Sequence, residues 1–205
     1  MSKGGFMKDA FVLCGITLVA GALLGGVYEM TKAPIDAANL AAKEAAYRTV
    51  FPDAASFDAG DLADKIPAAN EEIAGLGYGK VMVDEAVAAS DASGAAAGYV
   101  VTATSNDGFG GAITVSVGIQ SDGTVNGIEF LTLAETAGLG MRANTDAVKD
   151  QLKDKNVDKF EYTKTGATAD DQIDALSGAT ITTNAMTNGV NAGLCAFQYE
   201  KGGNQ

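Results

Sequence analysis

The stretch ITVSVGIQSDGTVNGIEFLTL, residues 113–133, decides the fold class. Ile113, Val115, Val117 and Ile119 alternate with Thr114, Ser116, Gly118 and Gln120, the period-two pattern of a half-buried strand. Asp122-Gly123 is a strong hairpin signal, because glycine adopts the positive φ that a tight turn requires. Val125 to Leu133 is the returning strand. Upstream, Tyr99 to Thr104 reads as another strand, and Gly110-Gly111 leads from it into Ile113. This is an antiparallel meander, so the predicted class is α+β rather than doubly wound.

Working outward, Thr145 to Lys153 reads as a polar surface helix, and Ile181 to Tyr199 as a closing helix. Met186, Val190, Leu194 and Phe197 step by four, four and three, which puts them on one helical face. Gly189 and Gly193 in the same helix suggest close packing against the sheet. Ala54 to Gly79 has weak periodicity and reads as turns with short helical pieces. Ala37 to Val50 is alanine-rich with helical spacing, and Phe51-Pro52-Asp53 stops it. Pro34 is expected to end the segment before it.

That segment is the N-terminal one. Ala10 through Tyr28 carries no charge. As a helix it spans roughly 28 Å, about the thickness of a bilayer's hydrocarbon core. Lys3 and Lys8 precede it, and the positive-inside tendency places the N-terminus in the cytoplasm and the main domain outside. A cleaved signal peptide competes, with Ala20-Gly21-Ala22 as its cleavage site. The length of the run favours a retained anchor. Gly21 and Gly25, with Thr17 on the same ridge, would let another membrane helix approach closely.

Composition narrows the chemistry. The chain has 205 residues, 47% of them hydrophobic, so a true core is expected. The net charge is −12; residues 1–32 contribute +1, and the remainder carries −13. Such a surface repels nucleic acid and anionic lipid. There is no histidine, and Cys14 and Cys195 cannot form a close-spaced metal motif, so no metal site is expected. Any redox chemistry must come from an organic cofactor.

Three glycine-bearing segments stand out: Gly108-Phe109-Gly110-Gly111, Glu135-Thr136-Ala137-Gly138-Leu139-Gly140, and Asp174-Ala175-Leu176-Ser177-Gly178-Ala179-Thr180. The third directly precedes the closing helix. Small residues there expose backbone N–H groups at a helix N-terminus, a ready site for a phosphate. Thr180, Thr182 and Thr183 put hydroxyls at the same place. On these residues alone, an ordinary Ser/Thr helix cap is the favoured reading, because short Ser/Gly/Thr clusters are common.

Asp174 to Thr180, as Asp-x-x-Ser-Gly-Ala-Thr, resembles the flavinylation motif of the covalent FMN-binding domain family. Glu135-Thr136-x-Gly138-Leu139-Gly140 is similar to that family's second motif, with alanine at 137 where many relatives have proline. The resemblance covers roughly Tyr99 to Phe197. It implies FMN bonded as a phosphoester to Thr180 by a separate flavin transferase. It further implies cofactor contacts from Asp174, Leu176, Ser177, Gly178, Ala179, Thr183, Glu135, Thr136, Gly138, Leu139 and Gly140. A near-copy, Thr165-Gly166-Ala167-Thr168, has Tyr162 where the motif requires aspartate, so Thr180 and not Thr168 is the expected site.

With its single anchor, the chain resembles the FMN-carrying subunits of Rnf-type complexes, which couple electron flow between reduced ferredoxin and NAD to ion transport. The implied role is an electron relay on the extracytoplasmic face, with no complete activity alone. The implied partners are other membrane subunits, through Gly21 and Gly25. The expected organisation is a cytoplasmic N-terminus at 1–9, a transmembrane helix at 10–30, a helical or irregular membrane-proximal part at 31–90 and the FMN-binding domain at 91–205. Three alternatives stay open: the C subunit of a sodium-pumping NADH:quinone reductase, a stand-alone flavin carrier, and a non-redox anchored ligand-binding domain.

Overall fold

The computed structural model of the chain describes residues 3–202, with side chains from Met7 onward. The chain divides into two units, Met1–Ala42 and Lys43–Gln205.

The described part of the first unit is helical throughout, as the opening part of α1 (Lys3–Val50). Pro34 lies inside this helix rather than at its end, which corrects its reading as a stop. A proline removes one N–H donor from a helix interior, but the alanine-rich run after it has high helix propensity and carries the helix on. The helix contains an 18-residue window of mean hydropathy 2.3 with none of it buried against protein. By length and composition it can cross a membrane. The hydroxyls of Thr17 and Thr31 donate back to the carbonyls of Leu13 (3.1 Å) and Val27 (2.9 Å), so neither needs water. Nothing lies within 4 Å of where a Cβ would stand on Gly21 or Gly25.

The second unit is built on a five-stranded antiparallel sheet in chain order, β1 (Ser56–Ala59) to β5 (Val125–Leu133). The meander expected from the sequence is its centre: β3 (Ala96–Ser105), β4 (Ile113–Gln120) and β5, with Val101 opposite Val117 and Val117 opposite Ile128. Asp122-Gly123 makes the predicted hairpin. Gly123 has φ +98°, and the Thr124 N–H donates to Asp122 Oδ1 at 2.8 Å. That bond holds the Asp122 carboxyl below the usual carboxylate range.

Two parts differ from the sequence reading. Residues 56–75 form β1 and a 15-residue α2 (Asp61–Gly75), and β2 (Val81–Ser90) completes the sheet beside β3. Thr145–Lys153 is α-helical only at α3 (Asp146–Lys149), with turns after it.

Alternation along the strands makes two cores. Val83, Val101, Val115 and Val117 face α2 and the closing helix α4 (Thr180–Glu200). Val100 and Ala89 face Tyr47, Val50 and Phe51. There the Tyr47 hydroxyl donates to Glu85 Oε2 at 3.0 Å, and burial, then the Glu85 charge, pushes its pKa to about 12.

In α4, Met186, Val190, Leu194 and Phe197 are all buried, each worth about 1.5–3 kcal/mol as an upper estimate. The helix is not amphipathic in the expected way, however, because Thr182, Thr183, Thr187 and Asn191 are buried too. Thr183, Thr187 and Asn191 are satisfied locally; Asn191 bonds both backbone groups of Phe160, at 2.7 and 2.9 Å. A short parallel pair, β6 (Glu161–Thr163) and β7 (Gln172–Asp174), then delivers the chain to the N-terminus of α4.

Candidate functional site

The three glycine-bearing segments meet. Phe109, Glu135, Thr136, Leu139, Gly140 and the run 178–182 line one pocket of about 370 Å³. That lies within the range of roughly 300–1,000 Å³ usual for ligand pockets.

The loop after β5 forms one wall. Glu135 is buried, and its Oε1 accepts the Phe109 N–H at 2.8 Å, which ties the first segment to the second. Its Oε2 is buried without a hydrogen-bond partner among the described residues. An orphaned acceptor is costly unless something fills the role. Gly140 permits this packing: a Cβ there would stand 2.6 Å from Thr182 Oγ1 and 2.8 Å from Glu135 Oε2.

The loop before α4 forms the other wall. The Ala175 N–H donates to the Thr163 carbonyl at 2.7 Å, so the loop leaves β7 still paired to β6. Leu176 to Ala179 is a turn, closed by the Ala179 N–H on the Leu176 carbonyl at 2.9 Å. Gly178 takes φ +77° at its third position, a conformation glycine adopts without penalty. Thr183 locks the turn from beneath. Its Oγ1 accepts from the Leu176 N–H and donates to the Ala179 carbonyl, both at 3.0 Å. Arg142 clasps the two walls: its guanidinium donates to the Ser177 carbonyl at 2.7 Å and the Leu139 carbonyl at 3.4 Å.

Thr180 is the first residue of α4, half-buried at the pocket. No described side chain caps that terminus. The opening N–H groups of a helix have no partner within it, and here they adjoin a concave, largely apolar space. The terminus can therefore receive an anion, with the helix dipole adding to the attraction.

Of the twelve residues expected at the cofactor, Thr180, Gly178, Ala179, Glu135, Thr136, Leu139 and Gly140 line the pocket. The other five lie outside its lining. Leu176 turns into the core, and Thr183 is fully buried beneath the turn. Ser177 is exposed and meets Arg142 through its carbonyl. Gly138 shapes its loop, with φ +75°. Asp174 points the other way, accepting the Ala167 N–H at 2.7 Å. Sequence reasoning missed Arg142 and Ile181, and did not place Phe109 in the site. Glycines around Phe109 were the available signal; Arg142 offered none.

The FMN-binding domain family matches residues 108–194. The chain is 30% identical over 193 residues to the G subunit of the Na(+)-translocating ferredoxin:NAD(+) oxidoreductase complex of Acetobacterium woodii, covering 93% of this chain and 91% of that one. It is 30% identical over 188 residues to the G subunit of the ion-translocating oxidoreductase complex of Methanosarcina acetivorans, covering 91% and 92%. A solved structure of the C subunit of the Na(+)-translocating NADH-quinone reductase from Parabacteroides distasonis overlaps in part, with 21% identity, TM-score 0.48, and 58% of this chain and 63% of that chain covered.

Proposed function

Because this chain belongs to the G-subunit family of the ion-translocating oxidoreductase complexes, we propose that its pocket holds FMN through a phosphoester on Thr180 and passes electrons there on behalf of the complex. The chain is an electron-transfer subunit of a membrane complex of the ferredoxin:NAD oxidoreductase type, anchored by its apolar helix and acting with other subunits. Its domain binds FMN.

The observation that carries the finer reading is the position of Thr180. Its hydroxyl sits at an uncapped helix N-terminus, on the wall of a pocket of ligand size. Bound FMN supplies the electron-carrying chemistry. The free N–H groups at the start of α4 suit its phosphate, and the Leu176–Ala179 turn leads directly to Thr180, whose hydroxyl would be esterified. Leu139 and Ile181 offer apolar surface to the ring. Thr136 lines the same wall, and Glu135 holds the Phe109 N–H beside it through Oε1. Asp174 orients the preceding loop rather than touching the ring.

A separate flavin transferase installs the cofactor in this reading. Lys3 and Lys8 keep the N-terminus cytoplasmic, so the pocket works on the extracytoplasmic side. The open ridge at Gly21 and Gly25 receives a helix from a neighbouring protein of the complex. The test is co-expression with a transferase, then peptide mass analysis. An FMN-sized adduct is expected on the peptide holding Thr180 and is lost in Thr180→Val; an adduct on Thr168 would sink the assignment.

A further inference from the structure

Phe109 is 70% exposed and lines the pocket. An exposed aromatic ring is not by itself notable; its mounting is. Its N–H is held by the buried Glu135 at 2.8 Å. On either side, backbone is packed too tightly for any side chain. A Cβ on Gly108 would stand 2.2 Å from the Gly111 carbonyl oxygen, and one on Gly110 would stand 2.1 Å from that of Ala134. The glycines here are close-contact residues rather than hinges. The backbone here is closely packed, while the ring stands largely in solvent at the edge of the pocket.

We propose that Phe109 is the closing wall of the FMN site: its ring folds onto a face of the bound flavin and shields it from water and soluble oxidants. This rests on the reading of the pocket as the seat of the flavin ring. Two flat aromatic systems stack favourably when offset, and the contact buries a side chain otherwise left in water. Leu139 and Ile181, 44% and 53% exposed, are the other large apolar side chains of the lining. Phe109 is thus a positioning residue that controls access to the ring.

The test uses the full chain, flavinylated by co-expression with a transferase. Mass analysis of the Thr180 peptide is the first readout, and quenching of flavin emission by iodide the second. In Phe109→Ala chains that carry the adduct, the iodide quenching constant rises on the order of fivefold, the factor set by an aromatic contact of ordinary strength. Phe109→Tyr also stacks, and its phenol, itself an electron-donating quencher of flavin, dims the emission. The chain has no tryptophan, so Phe109→Trp adds a single indole, which quenches flavin emission strongly if it stacks. This variant decides the matter should the alanine variant not be modified. Equal iodide quenching in wild type and Phe109→Ala, or bright flavin emission in Phe109→Trp, overturns the proposal. An unmodified Thr180 in wild type instead removes the site reading, and the proposal with it.

Discussion

Residues 165–168 read Thr-Gly-Ala-Thr, and residues 177–180 read Ser-Gly-Ala-Thr. Both glycines are left-handed, at φ +95° and +77°. The two loops nevertheless end up with opposite surroundings. Thr168 is exposed, and its N–H and hydroxyl both donate to Gln172 Oε1, at 3.1 and 3.2 Å. It sits on a polar loop with no helix behind it. Thr180 opens a 21-residue helix and faces a pocket. A tetrapeptide of this kind is only a bend. The element after it, and the side chains packed beneath it, decide whether its threonine can serve a phosphate. Asp174 joins the two loops: it lies just before the second and holds the amide of Ala167 in the first.

The largest effect expected from breaking this contrast is that of Thr180→Val, which abolishes the FMN adduct while Thr168→Val leaves it intact, as read by in-gel flavin fluorescence and peptide mass. Thr183→Val comes next. It strips the lock beneath the second loop and leaves the buried Leu176 N–H without an acceptor. A loss of about 1–3 kcal/mol is expected, seen as a lower urea midpoint at unchanged slope.

Gly178→Ala and Gly166→Ala each place a Cβ on a left-handed residue, at about 1–2 kcal/mol. Gly178→Ala should cost more, because Leu139 Cδ2 lies 3.3 Å from the new Cβ while Gly166 has open space. Equal losses would mean that Leu139 does not restrain the second loop. Gln172→Ala should stay within about 0.5 kcal/mol, since it releases only the exposed first loop.

Cys195 on α4 reports whether the helix behind Thr180 is intact. Burial, with Glu72 adding to it, pushes its thiol from the ordinary 9.0 up to about 11. The native chain therefore keeps a proton that the unfolded chain releases. That contribution to stability is present below pH about 9 and is lost as pH rises through about 11. At pH 9 iodoacetamide should spare Cys195 in the native chain and in Thr180→Val, and label it after denaturation. Labelling in the native variant would trace its lost adduct to unfolding rather than to the missing hydroxyl.

The strands β3 to β5 were legible because one face of each is buried and the alternation survives in the residues. β2 was not, since its run Val81–Ser90 slips register between Val83 and Glu85 and again between Ala89 and Ser90. In α2, Leu62, Ile66, Ala69 and Ile73 keep helical spacing, but Pro67 inside the helix obscures it. The site's motifs could be read along the chain. Their convergence could not, because Phe109 meets Glu135 and Arg142 meets Ser177 only once the sheet has folded.

Gly189 and Gly193 let α4 rest directly on the sheet: Cβ atoms there would stand 3.1 Å from Val115 Cγ1 and 3.4 Å from Val117 Cγ2. The helix that Thr180 opens is thereby seated against the sheet. A group bonded to Thr180 could move only by the freedom of its own short leash, at an effective concentration of about millimolar however dilute the surroundings. Occupancy would then place no demand on ring affinity. The pocket would be left free to grip one redox form of its guest more tightly than the other, and so to set the potential at which electrons pass.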